Sequence, residues 1–452
     1  MTQLRILPQQ RPLSGSVTVP SDKSISHRAI MLAALADGRS RVDNWLPAGD
    51  TLATLELFRA LGVPIAVEQT AAYSWRLTVD GRGLHGLSAP QESLDCRNAG
   101  TCMRLTAGIL AGQSFPAVLD GSAQLRRRPM GRITGPLRQM GANIQDNDGR
   151  APLHIFPARL QGIDLRLPVA SAQVKSALLL AGLYAHGPTR IYQPGPARDH
   201  TERMLQAVGV QVAIEAAPFG VPNDAPSGGQ WLTLTPPADA LRPFHLTVPG
   251  DISSAAFPLV AAALVPDSHV TIQNVGQNAT RTGLLDLLAS MGADIGAGNV
   301  RQTGGEPAAD LTVRCSQLRG AQAGGSLVVR AIDEFPIWAV ATTQAEGTSL
   351  VQEATELRVK EVDRISILAG ELRKMGAAIT EQLDGFAVDG PTRLQGAAVD
   401  SHGDHRLGMA LAVAGLVANG PTLIQDAACI ADSFPGFVET MNQLGATMAW
   451  VA

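Results

Sequence analysis

Five stretches of the sequence place polar or cationic side chains just where an apolar helix is about to begin. They are Ser21-Asp22-Lys23-Ser24-Ile25-Ser26-His27-Arg28, Asn98-Ala99-Gly100-Thr101-Cys102-Met103-Arg104, Ser171-Ala172-Gln173-Val174-Lys175-Ser176, Ala331-Ile332-Asp333-Glu334 and Gly403-Asp404-His405-Arg406. A helix start offers unpaired N–H groups and roughly half a positive charge, so it suits an anion. Simple capping accounts for Ser, Asp and Asn at such places, and it is enough for a sixth stretch, Gly250-Asp251-Ile252-Ser253-Ser254. Capping does not account for Lys23, Arg28, Arg104 and Lys175, because the helix dipole disfavours a cation in the first turn. An anion shared between dipole and side chain removes that conflict, so the pattern points to small polyanionic ligands.

Two further clusters carry charge. Leu125-Arg126-Arg127-Arg128-Pro129 concentrates guanidinium groups, and a solvated basic turn is the plain account of Arg126 and Arg127. In Glu356-Leu357-Arg358-Val359-Lys360-Glu361-Val362-Asp363-Arg364, a helix would put Lys360 and Arg364 on one face with Glu361 beside Arg364; a salt-bridged surface helix has the same spacing. No phosphate loop of the GxxxxGK[ST] kind, no GxGxxG after a strand and no GxSxG elbow is present. His402 and His405 lack an evident third ligand, so no metal is expected.

Length and composition frame the reading. With 452 residues, the chain is too long for one ordinary core. The net charge of −4 argues against a surface for nucleic acid, so anion sites must be built locally. Four cysteines (Cys96, Cys102, Cys315, Cys429) show no zinc spacing and read as reduced thiols of a cytoplasmic protein. MTQLRILPQQ at the start lacks the apolar core of a secretory signal, and the longest apolar runs are too short for a membrane span.

The elements that must position these groups come as a repeat. Six times, a strand leads into a polar loop, an apolar helix, a turn and another strand, starting at Val17, Ser93, Leu165, Leu246, Leu327 and Val399. In the copy from Leu246, Pro266-Asp267-Ser268 stands in the place of the glycine turn. Each copy continues into a second helix ending in Leu61-Gly62-Val63, Met140-Gly141-Ala142, Val208-Gly209-Val210, Met291-Gly292-Ala293, Met375-Gly376-Ala377 or Leu444-Gly445-Ala446. Those glycines fall where a helix C-terminus wants a left-handed residue. Thr18-Val19-Pro20-Ser21-Asp22 is echoed by Thr247-Val248-Pro249-Gly250-Asp251, so the chain reads as two α/β domains of three units, with possible hinges near Pro20 and Pro249. Residues 216–230 read as a surface loop.

The motifs Lys23-Ser24-Ile25-Ser26-His27-Arg28, Asn98-Ala99-Gly100-Thr101, Arg128-Pro129-Met130-Gly131, Ser171-Ala172-Gln173, Arg358 to Arg364 and Asp404-His405-Arg406 closely resemble the EPSP synthase (3-phosphoshikimate 1-carboxyvinyltransferase) family. The resemblance runs from about Leu13 to Leu444, and the SAQVKSA and RDHTE phrases look like its class II branch. It implies a two-domain inside-out α/β barrel with three βαβαββ repeats per domain. The domains would be 1–20 plus 248–452 and 21–247, closing over substrates between them. It also implies transfer of the enolpyruvyl group of phosphoenolpyruvate to the 5-hydroxyl of shikimate 3-phosphate, releasing phosphate, with no cofactor. By the same resemblance, Lys23, Ser24, Arg28, Ser171, Ala172, Gln173, Arg198, Asp333 and Lys360 hold shikimate 3-phosphate. Lys23, Gly100, Arg128, Gln173, Arg364 and Arg406 surround phosphoenolpyruvate, with Asn98, Thr101 and Arg104 shaping the pocket and His405 beside Arg406. Glu361 is the candidate proton donor to carbon 3, Asp333 the partner of the 5-hydroxyl, and Lys23 the neighbour of the leaving phosphate. A monomer acting on small molecules is expected, without nucleic acid or membrane partners.

One departure is Asp432-Ser433-Phe434-Pro435, where many members carry Lys before the Ser/Thr-Phe-Pro phrase. Gly100 leaves no methyl in the phosphoenolpyruvate pocket, so tight binding of the inhibitor glyphosate is expected. The nearest alternative is a UDP-N-acetylglucosamine 1-carboxyvinyltransferase, which resembles this pattern but carries Lys-Asn in the first loop and a reactive Cys near Arg128. Here Ser24 follows Lys23 and residues 111–130 contain no Cys. A non-catalytic anion-binding or RNA-end-processing protein on related repeats is the alternative of another class.

Overall fold

The computed structural model describes residues 2–216, 229–303 and 305–451. Most of the loop expected at 216–230 therefore lies outside the described residues. Two compact units emerge, one of Met1–Pro20, Pro249–Gln302 and Pro307–Ala452, the other of Ser21–Val248 and Thr303–Glu306. Val248 and residues 303–306 thus group with 21–247 and not with the rest of 248–452, which the sequence does not suggest.

Each unit has three helices at its centre. In the second unit these are Lys23–Leu35, Gly100–Leu110 and Ala172–Gly182; in the first, Ile252–Leu264, Phe335–Thr343 and His405–Val417. Successive helical residues point about 100° apart. Burial of Leu178, Leu179 and Leu180 together therefore means that the helix Ala172–Gly182 is covered on all sides. Each such leucine contributes about 1.5–3 kcal/mol by leaving water. Small residues let these helices meet: a Cβ on Gly108 would lie 2.2 Å from the carbonyl oxygen of Ala177. The scarcity of aromatic residues, 4% of the chain, fits this close approach.

Among the described residues, six four-stranded sheets with one shared plan lie around the helices. Two strands pair parallel and two more join antiparallel, as in Leu94–Asp95, Ala117–Asp120, Leu153–Phe156 and Asn143–Gln145. Helices inside and sheets outside make an inside-out α/β arrangement, and the six glycines closing the second helices all have positive φ, from 83° to 102°. Asp267 takes the left-handed conformation, with φ 59°, in the copy without a glycine turn.

Three details depart from a plain tandem repeat. The strand Ser14–Thr18 precedes the helix Lys23–Leu35 but pairs with His269–Gly276, while His245–Thr247 pairs with Asp37–Trp45. Equivalent bulges follow in the partner strands, with Asn44 and Asn274 left-handed at φ 54° and 55°. The sixth sheet is completed by the N-terminal strand Gln3–Ile6 between Thr422–Gln425 and Met448–Val451. In the fifth copy the apolar run from Leu327, expected as a strand, is the short helix Ser326–Ala331, and the strand is Gln322–Ala323. Gly325 at φ 58° breaks the chain before it, and burial of Val328 and Ala331 overrides the β preference of the valines.

Gly108→Ala is expected to destabilise the protein by about 1–3 kcal/mol through overpacking. Gly370→Ala, in the helix Arg364–Lys374 with open space around the added methyl, should stabilise by about 0.5–1 kcal/mol. Thermal melting of the two variants checks the contrast in sign.

Candidate active site

Within the second unit the helices Gly100–Leu110 and Ala172–Gly182 are joined by side chains near their starts. Arg104 Nη1 donates to Gln173 Oε1 at 2.6 Å, Gln173 Nε2 to Thr101 Oγ1 at 3.1 Å, and Arg104 Nη2 to the Pro129 carbonyl at 3.3 Å. Gly100 sits beneath two guanidinium groups: a methyl there would lie 2.9 Å from Arg104 Nη1 and 3.1 Å from Arg128 Nη1. The structure thus brings Gly100, Thr101, Arg104, Arg128 and Gln173 into one cluster. Ser171 and Ala172 sit at the start of the same helix as Gln173. Asn98 faces the neighbouring turn instead, donating to Gln124 Oε1 at 2.8 Å and accepting from Ser122 Oγ at 3.0 Å.

Arg28 lies nearby in the fold of the same unit. It is buried, donating to Thr201 Oγ1 at 2.6 Å, Ser176 Oγ at 2.9 Å and the Ser24 carbonyl at 2.9 Å. Burial lowers its pKa to about 10 against the pull of Glu202 and Asp22, and Arg198 adds to the lowering. Lys23 Nζ pairs with Asp50 Oδ2 at 2.9 Å beside the helix start capped by Asp22. His27, in the same motif, is structural: burial lowers its pKa to about 3, and Nδ1 meets Thr54 Oγ1 at 2.6 Å.

The expectation that all four first-turn cations await a shared anion needs correction. Lys175 Nζ lies 2.5 Å from Glu202 Oε1, with both groups essentially sealed from solvent. A protein carboxylate supplies the counter-charge, because the helix His200–Ala207 returns Glu202 to this helix, which local spacing does not reveal. Arg126, by contrast, forms a surface pair, 2.5 Å from Asp120.

The first unit gathers its candidates around Arg364. Its Nε and Nη2 engage Asp404 at 2.8 and 3.3 Å, Nη1 meets Asp333 Oδ1 at 3.2 Å, and Nη2 meets Glu361 Oε2 at 2.7 Å. Burial opposes the charge, yet Asp404, Glu361 and Asp333 hold the pKa above that of an ordinary arginine. Lys360 Nζ is 3.7 Å from Asp333 Oδ1, and Arg406 Nη1 donates to the Asp333 carbonyl at 3.3 Å. Asp333, Lys360, Glu361, Arg364 and Arg406 are therefore one cluster, with His405 buried at the helix start beside it.

The long helix considered for residues 356–364 is absent. Thr355–Val359 is a 3-10 turn, and the α-helix Arg364–Lys374 begins only after Asp363, whose carboxylate caps Ile365 and Ser366. The Glu361–Arg364 pair forms nonetheless. Arg358 serves the framework, bridging Asp363 and Glu381 at 2.8 and 2.9 Å.

Sequence reasoning missed several participants. Asp404 was visible only as part of a motif, yet it caps Arg406 and Leu407 and also holds Arg364. Glu334 accepts from Ser253 Oγ, which also takes Arg281 Nη2 at 2.8 Å, while Arg281 meets Asp251 at 2.9 Å. The sixth loop is thus a cap, as expected, and also part of a buried network. Asp432 ends a 3-10 turn and is half-buried. His402 faces Glu371 Oε1 at 2.9 Å. Among the described residues, no group of three or more His, Cys, Asp or Glu could hold a metal ion, and no helix is long and apolar enough to cross a membrane.

Residues 7–441 match the family described as EPSP synthase (3-phosphoshikimate 1-carboxyvinyltransferase). The chain belongs to the EPSP synthase family. A 3-phosphoshikimate 1-carboxyvinyltransferase of Desulforudis audaxviator is 49% identical over 443 residues, covering 98% of this chain and 99% of that one. Its counterpart in Citrifermentans bemidjiense is 50% identical over 434 residues, covering 96% and 97%. The solved EPSP synthase of Acinetobacter baumannii superposes with a TM-score of 0.86 at 42% identity over the whole of both chains. The enolpyruvyl transferase NikO of Streptomyces tendae, at 20% identity and a TM-score of 0.77, shares the fold.

Glu202→Gln leaves the Lys175 ammonium buried without its counter-charge and should cost about 3–5 kcal/mol of stability. The double variant Lys175→Met, Glu202→Leu should recover most of that loss. Denaturant melts of the three proteins check this, and an unaffected single variant would contradict the pairing.

Proposed function

We infer that the chain transfers the enolpyruvyl group of phosphoenolpyruvate to the 5-hydroxyl of shikimate 3-phosphate, releasing phosphate. The observation that carries this is near-full-length identity of 49–50% to enzymes named 3-phosphoshikimate 1-carboxyvinyltransferase. The UDP-N-acetylglucosamine alternative has no comparable support.

The residue roles follow from the chemistry. The 5-hydroxyl oxygen bonds to carbon 2 of phosphoenolpyruvate and loses its proton, while carbon 3 gains one. Carbon 3 then returns a proton as the bond from carbon 2 to the phosphate oxygen breaks, restoring the double bond and freeing phosphate. Such a sequence needs a base at the hydroxyl and an acid at carbon 3. Asp333 takes the first role and Glu361 the second; support comes from one guanidinium, Arg364, that touches both.

Lys23 neutralises the leaving phosphate. Gly100, Arg128, Gln173, Arg364 and Arg406 surround phosphoenolpyruvate, whose two anionic ends guanidinium forks suit, with Asn98, Thr101 and Arg104 shaping the pocket. Ser24, Arg28, Ser171, Ala172, Arg198 and Lys360 hold shikimate 3-phosphate, and His405 supports Arg406. The stretches 1–20 plus 248–452 and 21–247 are the two functional domains, a division supported by a break at Pro20/Ser21 and by one at Val248/Pro249, a residue beyond the expected boundary. The four free thiols fit a cytoplasmic setting, and the family resemblance supports a monomer.

Phosphate release should appear only with phosphoenolpyruvate and shikimate 3-phosphate together, and UDP-N-acetylglucosamine should not replace the latter. Glu361→Gln and Asp333→Asn are each expected to lower kcat by about 10²–10⁴-fold; unchanged release in both would sink the assignment. Glyphosate should inhibit at concentrations comparable to that of phosphoenolpyruvate, because Gly100 adds no methyl under Arg104 and Arg128. Half-inhibition only far above the phosphoenolpyruvate level would contradict this.

A further inference from the structure

The helix Arg364–Lys374 grips the loop Asp400-Ser401-His402-Gly403-Asp404 at two points. Arg364 and Glu371 lie seven residues apart, two turns along one face. Arg364 holds Asp404 at one end of the loop. Glu371, only 4% exposed, holds the other. Its Oε2 accepts from the Asp400 amide at 3.0 Å, and its Oε1 meets His402 Nε2 at 2.9 Å. Lys374 Nζ lies 2.8 Å from both oxygens and completes the charge balance. Hydrogen bonds to this carboxylate hold its pKa low despite its burial.

The loop needs such a hold. His402 and Gly403 are successive left-handed residues, at φ 52° and 72°, and that conformation is unfavourable for histidine. Asp400 Oδ1 accepts from the His402 amide at 2.7 Å, so both partners of Glu371 define the bend. Directly after it, Asp404 caps the Arg406 amide at 2.8 Å and starts the helix carrying Arg406.

We propose that Glu371, acting through His402 and the Asp400 amide, is a positioning residue that sets the left-handed loop from which Asp404 and Arg406 are aimed. Its effect is on the placement of the Arg364–Asp404–Arg406 group, and the kinetic part of the inference rests on the function proposed above.

Two measurements on the full chain test it. In Glu371→Gln, amide exchange across residues 400–407 should quicken by on the order of tenfold, while the buried helix Phe335–Thr343 stays as protected as before. The KM for phosphoenolpyruvate should rise by on the order of tenfold, with kcat falling much less. Lys374→Arg, which keeps a counter-charge beside Glu371, should shift neither by more than about twofold. Unchanged exchange in residues 400–407, or a rise spread evenly over the unit, overturns the proposal, as does an unaltered KM in an active enzyme. A wild-type chain that fails to turn over the two substrates sinks the functional reading instead. Amide exchange then still decides whether Glu371 holds the loop.

Discussion

Burial of three helices on every side, in each unit, is the constraint from which the rest follows. A helix whose flanks all pack against other helices or sheets has no lateral surface left for a ligand. Only its ends remain open to polar chemistry. In the second unit, contacts among Thr101, Arg104 and Gln173, and between Arg28 and Ser176, link the N-terminal halves of the three helices. In the first unit, Ser253, Glu334 and Arg406 link the starts of its three central helices in the same way. Partial positive charge from several helix dipoles is thereby gathered in one place.

Gathering charge is costly unless it is balanced, and the two units balance it differently. Around Arg364, three carboxylates (Asp333, Glu361 and Asp404) surround one buried guanidinium, with Lys360 and Arg406 close by. Fixed opposite charges make such a cluster rigid, because a buried charge left alone is heavily penalised. Asp404 serves both as helix cap and as ion-pair partner, so backbone and side-chain geometry are tied together there. In the second unit, uncharged groups such as Gln173, Ser176 and Thr201 meet the guanidinium groups directly. Neutral acceptors orient these guanidinium groups, while Asp50 and Glu202 supply counter-charges to Lys23 and Lys175.

Much of this was legible from periodicity. The six glycines after the second helices, the helix starts at Lys23, Gly100, Ala172 and His405, and the buried alanine-rich stretches all follow from local preferences. Local preferences failed where tertiary context outweighed them. The apolar run from Leu327 looks like a strand but is a short helix, because burial matters more than the β preference of its valines. Lys175 looked like a ligand group until the chain brought Glu202 back to it. Nothing near Lys175 in sequence announces a partner 27 residues away.

From the sequence alone came the repeat, the fold class, the family and most of the charged residues that matter, since each is written in short-range patterns of residue type. Tertiary structure alone decided which cation meets which anion, that the strands Ser14–Thr18 and His245–Thr247 pair outside their own repeats, and that the first strand closes the last sheet. It also placed Glu371 against the Asp400–Asp404 loop. Pairing across long loops depends on where the whole chain returns. No local preference encodes that path, and only the packed structure makes it visible.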